Sequence, residues 1–187
     1  HAPSFFNVSA MSYGALSTPA IRALSMGARE GNFWLNTGEG GLSPYHLQGG
    51  CDIVFQIGTA KYGVRDAAGK LDDDKLREVA AHEQVRMFEI KMSQGAKPGK
   101  GGILPGGKVT AEIASIRGIP ERSDSISPNG HVDVRSVDDL LDMVERVRRV
   151  TGKPTGFKMV VGQLNFFEDL FTAIHRRGMH TAPDFIT

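Results

Sequence analysis

The chain has 187 residues, 40% hydrophobic and 23% charged, with 22 Lys plus Arg against 21 Asp plus Glu for a formal net charge of +1. That balance fits one ordinary soluble domain with material for a core, and it excludes a disordered, collagenous or coiled-coil chain and a broad basic surface for nucleic acid. A single cysteine, Cys51, excludes an internal disulfide and any multi-thiolate metal or iron–sulfur site built from this sequence alone, and it reads as a small buried hydrophobe.

Taken in order, Phe5, Phe6, Val8 and Ala10 form an apolar run between Pro3 and the Ser12-Tyr13-Gly14 turn, which predicts a buried strand ending near Ala10 or Met11. Ser17-Thr18-Pro19 predicts a helix start with a hydroxyl cap, carried by Ile21, Leu24 and Ala28 to a stop at Gly31. Phe33-Trp34-Leu35 is the second predicted strand and runs into Asn36-Thr37-Gly38-Glu39-Gly40-Gly41. Residues 53–57 are the third, 72–81 a short charged helix, and 85–90 the fourth strand, apolar at Met87, Phe88 and Ile90. A glycine-rich loop follows, carrying Lys91, Lys97 and Lys100; a loop of that make-up suits a flat or anionic ligand, or is a solvated basic connector. Thr110 then caps a short helix to Ile116, and residues 123–131 read as a turn-rich loop. Ser136 caps a long amphipathic helix whose stripe of Val137, Leu140, Leu141, Val144, Val147 and Val150 leaves Arg146, Arg148 and Arg149 on a solvated face. Residues 157–161 are the fifth strand, 164–176 a helix closed by Gly178, and 184–187 the start of a sixth strand.

Strands alternating with helices predict a parallel sheet with right-handed crossovers. Glycine-rich or polar residues recur at the C-terminal strand ends, after Ala10, Leu35, Ile57, Ile90 and Val161, which is where a (β/α)8 TIM barrel carries its active site. A full barrel takes about 250 residues, so the chain reads as a single partial domain over 1–187 with about six of eight strands. It opens on His1 and stops in mid-strand at Thr187, so both ends read as cut. No apolar run approaches the roughly 20 residues that cross a bilayer and no signal-peptide pattern opens the chain; a cytoplasmic protein is expected.

Four polar positions stand out. Lys158 lies in an otherwise apolar strand, where a lysine either meets an anionic or strongly polar ligand or snorkels at the strand end. Gln56 is a polar residue in another apolar run, either a satisfied core amide or a ligand contact. Asn36 offers hydrogen bonds at a strand end, and Glu39, among glycines, is either an exposed turn carboxylate or a proton-handling group near a nitrogen substrate. No dinucleotide-type phosphate cradle is present, and His46, His82, His131, His175 and His180 lack mutual metal-ligand spacing and read as surface or loop residues.

MSYGALS from Met11, NTGEGG from Asn36, QIGTAKYGV from Gln56, EIKMSQGAKPGKGGILPGGKV from Glu89, SISP from Ser125 and GFKMVVG from Gly156 together closely resemble the FMN-binding domain of the glutamate synthase family, above all its short stand-alone members. The resemblance covers essentially the whole chain. It implies an FMN-containing (β/α)8 barrel that reduces the imine of 2-oxoglutarate and ammonia to L-glutamate. Carried over position by position, Ala10, Met11, Ser12, Asn36, Gln56 and Lys158 would contact the flavin, with Lys158 as counter-charge to the reduced ring. Lys91, Gln94 and Lys97 would face the substrate, and Glu39 and Lys91 would be catalytic. The resemblance further implies an electron-donor protein or subunit and leaves room for a homo-oligomer. The iron–sulfur cysteines and amidotransferase segment of the large glutamate synthases are not in this sequence, nor are the seventh and eighth strands that hold the FMN phosphate. Two alternatives stay open: an N-methylglutamate-forming subunit that takes methylamine, and a non-catalytic barrel that carries flavin or serves assembly.

Overall fold

The computed structural model describes residues 4–95 and 101–187. Its strands in chain order are β1 (Trp34–Asn36), β2 (Asp52–Ile57), β3 (Val85–Lys91), β4 (Ile103–Leu104), β5 (Ser125–Ile126) and β6 (Thr155–Lys158). Four of them hydrogen-bond side by side in the order β1-β2-β3-β6, every pair parallel. The helices between them are α1 (Thr18–Glu30), α2 (Pro44–Gln48), α3 (Asp73–Ala80), α4 (Ala111–Arg117), α5 (Val137–Thr151) and α6 (Asn165–Arg177). This is an α/β protein built on a parallel sheet, as expected from the alternation. Among the described residues no helix is long and apolar enough to cross a membrane.

The predicted first and sixth strands are reduced to single parallel bridges, Val8 to Leu35 and Phe157 to Ile186, at the two edges of the sheet. At the first edge the side chain of Asn7 accepts from the Trp34 N–H at 3.1 Å, where a longer strand would offer a backbone carbonyl, and Phe5 and Phe6 are exposed rather than buried. The predicted loop at 123–131 contains β5, which pairs antiparallel with β4 to form a small hairpin outside the main sheet.

Period-two alternation sorts each parallel strand into two faces. One carries Leu35, Ile53, Phe55, Ile57, Phe88, Ile90 and Phe157, all fully buried against Leu76 and Val79 of α3, Leu140, Leu141, Val144 and Val147 of α5, and Leu170 and Ile174 of α6. Each such side chain contributes about 1.5–3 kcal/mol through burial, which is what fixes strand register. The other face carries Asn36, Gln56, Glu89, Lys91 and Lys158, polar groups pointing away from the helices. A second, smaller cluster of Tyr13, Ile21, Leu104, Val109, Ile113 and Ala114 seats the hairpin and α4.

Local chemistry sets the helix ends. Ser136 and Asp139 form a reciprocal capping box on α5, which ends at Gly152 with φ of 67°. Ser17 sits at the N-cap of α1 but makes no side-chain capping bond, against expectation. Arg146 and Arg148 also differ from the predicted solvated face. Arg146 donates to Asp73 at 2.9 Å and ties α5 to α3, and Arg148 donates to Asp184 at 3.0 Å and to the carbonyls of His180 and Ala182, pinning the segment that leads to Ile186.

Candidate functional site

In a parallel sheet all C-terminal strand ends lie on one edge, so the residues that follow Ala10, Asn36, Ile57 and Lys91 converge there. They form a cleft of about 240 Å³ lined by Ala10, Ser12, Glu39, Gln56, Lys91 and Gln94, with Arg117 and the β4–β5 hairpin as its far wall. Six predicted site residues from four separate segments are thus brought together.

Glu39 is the hub. Its carboxylate accepts from Gln94 Nε2 at 3.0 Å, from Lys91 Nζ at 3.3 Å and from Ser127 Oγ at 3.3 Å, and Lys91 Nζ also donates to Gln94 Oε1 at 3.1 Å. Both charged side chains are about one-fifth exposed, so the ion pair is weakly screened yet open to a ligand. Two glycines make room for it. A Cβ on Gly58 would lie 2.4 Å from Glu39 Cβ, and one on Gly102 would lie 2.8 Å from Glu39 Oε1. The turn that delivers Glu39 is wound by Asn36, whose Oδ1 accepts from the Gly38 N–H at 2.9 Å while Gly38 takes φ of 64°; a Cβ there would strike the Ser12 backbone at 2.8 Å.

Beneath the cleft lies a carboxylate that the sequence reading passed over. Glu89 is 3% exposed and accepts from Asn36 Nδ2 at 2.8 Å, Gln56 Nε2 at 2.6 Å and Thr187 Oγ1 at 2.7 Å. Its signal was the alternation Glu89, Lys91 against Phe88, Ile90 in one strand. Gln56, 1% exposed, has its Oε1 buried with no partner among the described residues. Arg117 was also missed: nothing in its sequence marks it. It is 5% exposed, donates to Ser125 Oγ at 2.8 Å and to the Tyr13 carbonyl at 3.3 Å, and stacks its guanidinium 5.1 Å over the Tyr62 ring. Burial pushes its pKa below the usual value against the opposing charges of Tyr62 and Glu39. Arg117 is thus a buried cation at the cleft wall.

Two histidines read as surface or loop residues are buried, His46 on α2 and His131 in a loop as one of those readings had it, and both hold strand ends. His46 Nε2 donates to the Met11 carbonyl at 2.8 Å, with the Ser43 N–H donating to its Nδ1; burial lowers its pKa. His131 Nε2 donates to the Lys91 carbonyl at 2.9 Å, and burial, reinforced by Lys61, pushes its pKa down to about 4. Cys51 is buried as expected, its thiol pKa raised by burial.

The remaining predicted positions fall as follows. Met11 meets the site through its backbone, its N–H donating to the Asn36 carbonyl at 3.0 Å. Lys158 is the register partner of Lys91 on β6, so both side chains leave the same face of the sheet. It does not line the cleft. Lys97 and the rest of 96–100 lie outside the described residues.

Compared with known proteins, residues 3–176 match the family described as a conserved region in glutamate synthase. The chain is 42% identical over 180 residues to the glutamate synthase large subunit-like protein YerD of Bacillus subtilis, which covers 96% of this chain and 34% of that protein. It is 40% identical over 153 residues to the archaeal glutamate synthase (NADPH) of Archaeoglobus fulgidus, covering 81% of this chain and 27% of that protein. With the glutamate synthase (NADPH) large chain of Bacillus subtilis it shares 34% identity over 151 residues, 9% of that protein. The chain thus spans between about a quarter and a third of the length of the first two of these relatives.

Proposed function

The chain belongs to the glutamate synthase family, and from that premise we propose that it is the central part of an FMN-dependent oxidoreductase that reduces 2-iminoglutarate, formed from 2-oxoglutarate and ammonia, to L-glutamate. The sheet and its crossovers are then the first six strands of a (β/α)8 barrel, with 1–187 as one partial domain. An electron-donor protein or subunit belongs to the same reading.

The observation that carries it is Gln56 Oε1, a buried acceptor at a strand tip with no partner among the described residues. A buried orphan acceptor costs about 1–3 kcal/mol unless a ligand N–H satisfies it, and the flavin ring offers such an N–H on its pyrimidine edge. Asn36, Ala10, Met11 and Ser12 surround the same strand tips and would hold the ring, with Lys158 supplying positive charge. Bound FMN supplies the hydride. The chain's own groups do the rest. Lys91 and Arg117 would bind the substrate carboxylates together with Gln94, the resemblance adding Lys97, and Glu39 would move a proton at the substrate nitrogen, held by its hydrogen bonds to Gln94 and Ser127.

A visible absorption spectrum of the full polypeptide tests the reading. Flavin bands are expected in the unmodified protein and their loss or marked weakening in Lys158→Met; a protein that stays colourless after FMN is supplied contradicts it.

A further inference from the structure

Gln56 and Asn36 both carry amides, groups whose two ends are nearly alike in size and opposite in hydrogen-bonding sense. What decides which end faces the ligand is the neighbour on the other side. In both cases that neighbour is the same oxygen, Glu89 Oε1, 2.6 Å from Gln56 Nε2 and 2.8 Å from Asn36 Nδ2. A carboxylate only accepts, so each amide must turn its NH2 toward Glu89 and its carbonyl away. For Asn36 the carbonyl is taken by the Gly38 N–H. For Gln56 nothing among the described residues takes it.

We propose that Glu89 is a positioning residue that fixes the Gln56 amide with its acceptor toward the ligand, so that this point of the site selects a ring N–H over a ring carbonyl. The inference rests on the flavin reading above and deepens it. Glu89 does not touch the ligand; its second oxygen is occupied by Thr187 Oγ1 at 2.7 Å, and its burial at 3% exposure leaves it no route to the cleft. With no acceptor at Glu89, the Gln56 amide is free to rotate by half a turn and present NH2 where the ligand needs an acceptor. The register that makes this possible is direct, since Gln56 and Glu89 are paired across β2 and β3.

The test is a double-mutant cycle on FMN affinity in the full polypeptide, read by quenching of flavin fluorescence. Gln56→Leu is expected to weaken FMN binding about tenfold, the worth of one buried hydrogen bond. Glu89→Leu is expected to weaken it at least as much. The combined variant is expected to fall well short of the product of the two, because Glu89 acts through Gln56. Glu89→Gln keeps one carbonyl for the two amide donors and is expected to restore affinity to within about threefold, a rescue that also guards against misfolding of the leucine variant. Independent, multiplying losses, or unchanged affinity in Glu89→Leu, overturn the positioning role while leaving the flavin reading intact. An unmodified protein that binds no FMN overturns both.

Discussion

Gly58 is the cleanest place to ask whether the position of Glu39 matters. Its backbone is not in the left-handed region, so alanine is acceptable to the main chain and any effect is steric. The added Cβ would lie 2.4 Å from Glu39 Cβ and 2.8 Å from its Oε2. Ordinary carbon contacts need about 3.5–4.0 Å, so the base of the Glu39 side chain must retreat by roughly 1 Å or more. Its bonds to Gln94, Lys91 and Ser127, now 3.0–3.3 Å, then cannot all persist. A misplacement of about 1 Å at a reacting group costs about 100-fold in rate, and overpacking of this kind costs about 1–3 kcal/mol in stability. Gly58→Ala should therefore lower kcat for amination about 100-fold with only a modest drop in Tm. Gly102→Ala, which meets only the far end of the flexible carboxylate at 2.8 Å, should cost about tenfold or less. Steady-state turnover with ammonia and 2-oxoglutarate, alongside thermal melts, measures both. Wild-type kcat in Gly58→Ala would refute the role given to Glu39's placement.

Arg117→Met should raise KM for 2-oxoglutarate at least tenfold and lower Tm, because the buried Ser125 hydroxyl and Tyr13 carbonyl lose their donor; an unchanged KM removes the anion seat. Gly27→Ala, on the exposed face of α1 with nothing within 4 Å of the new Cβ, should stabilise by about 1 kcal/mol in denaturant titration, and destabilisation would contradict the helix assignment. His131 has an ordinary value of 6.5 and a folded value of about 4, so above pH 6.5 it costs nothing, and below it the unfolded chain takes up a proton that the folded one refuses. Stability should fall by up to about 3 kcal/mol as pH drops from 6.5 toward 4, with His46 adding in the same direction, and His131→Asn should flatten the slope.

The parallel α/β order, the caps at Ser136 and Thr110 and the interest of Glu39, Gln56 and Lys91 were legible because each rests on a local signal, whether periodicity, a capping hydroxyl, or a polar residue in or after an apolar run, whereas Gln94 came from the family resemblance. What escaped depends on distant partners. The bridge at Val8 is short because Asn7 reaches Trp34, 27 positions away. Arg117 becomes a site residue only because α4 and the β4–β5 hairpin fold back over the strand tips, and His46 and His131 are buried by the carbonyls they serve. Glu89 was hidden for a different reason: read as one apolar run, β3 conceals its two faces, and only the alternation separates Phe88 and Ile90 from Glu89 and Lys91.

The most direct measurement is anaerobic stopped-flow reoxidation of the reduced flavin in the full polypeptide. Mixing with 2-oxoglutarate and ammonia together should return the oxidised spectrum, neither alone should do so, and Glu39→Gln should slow the return about 100-fold. Reoxidation with methylamine in place of ammonia would move the substrate to a secondary amine product. No reoxidation with either amine would contradict an imine-reducing cleft altogether.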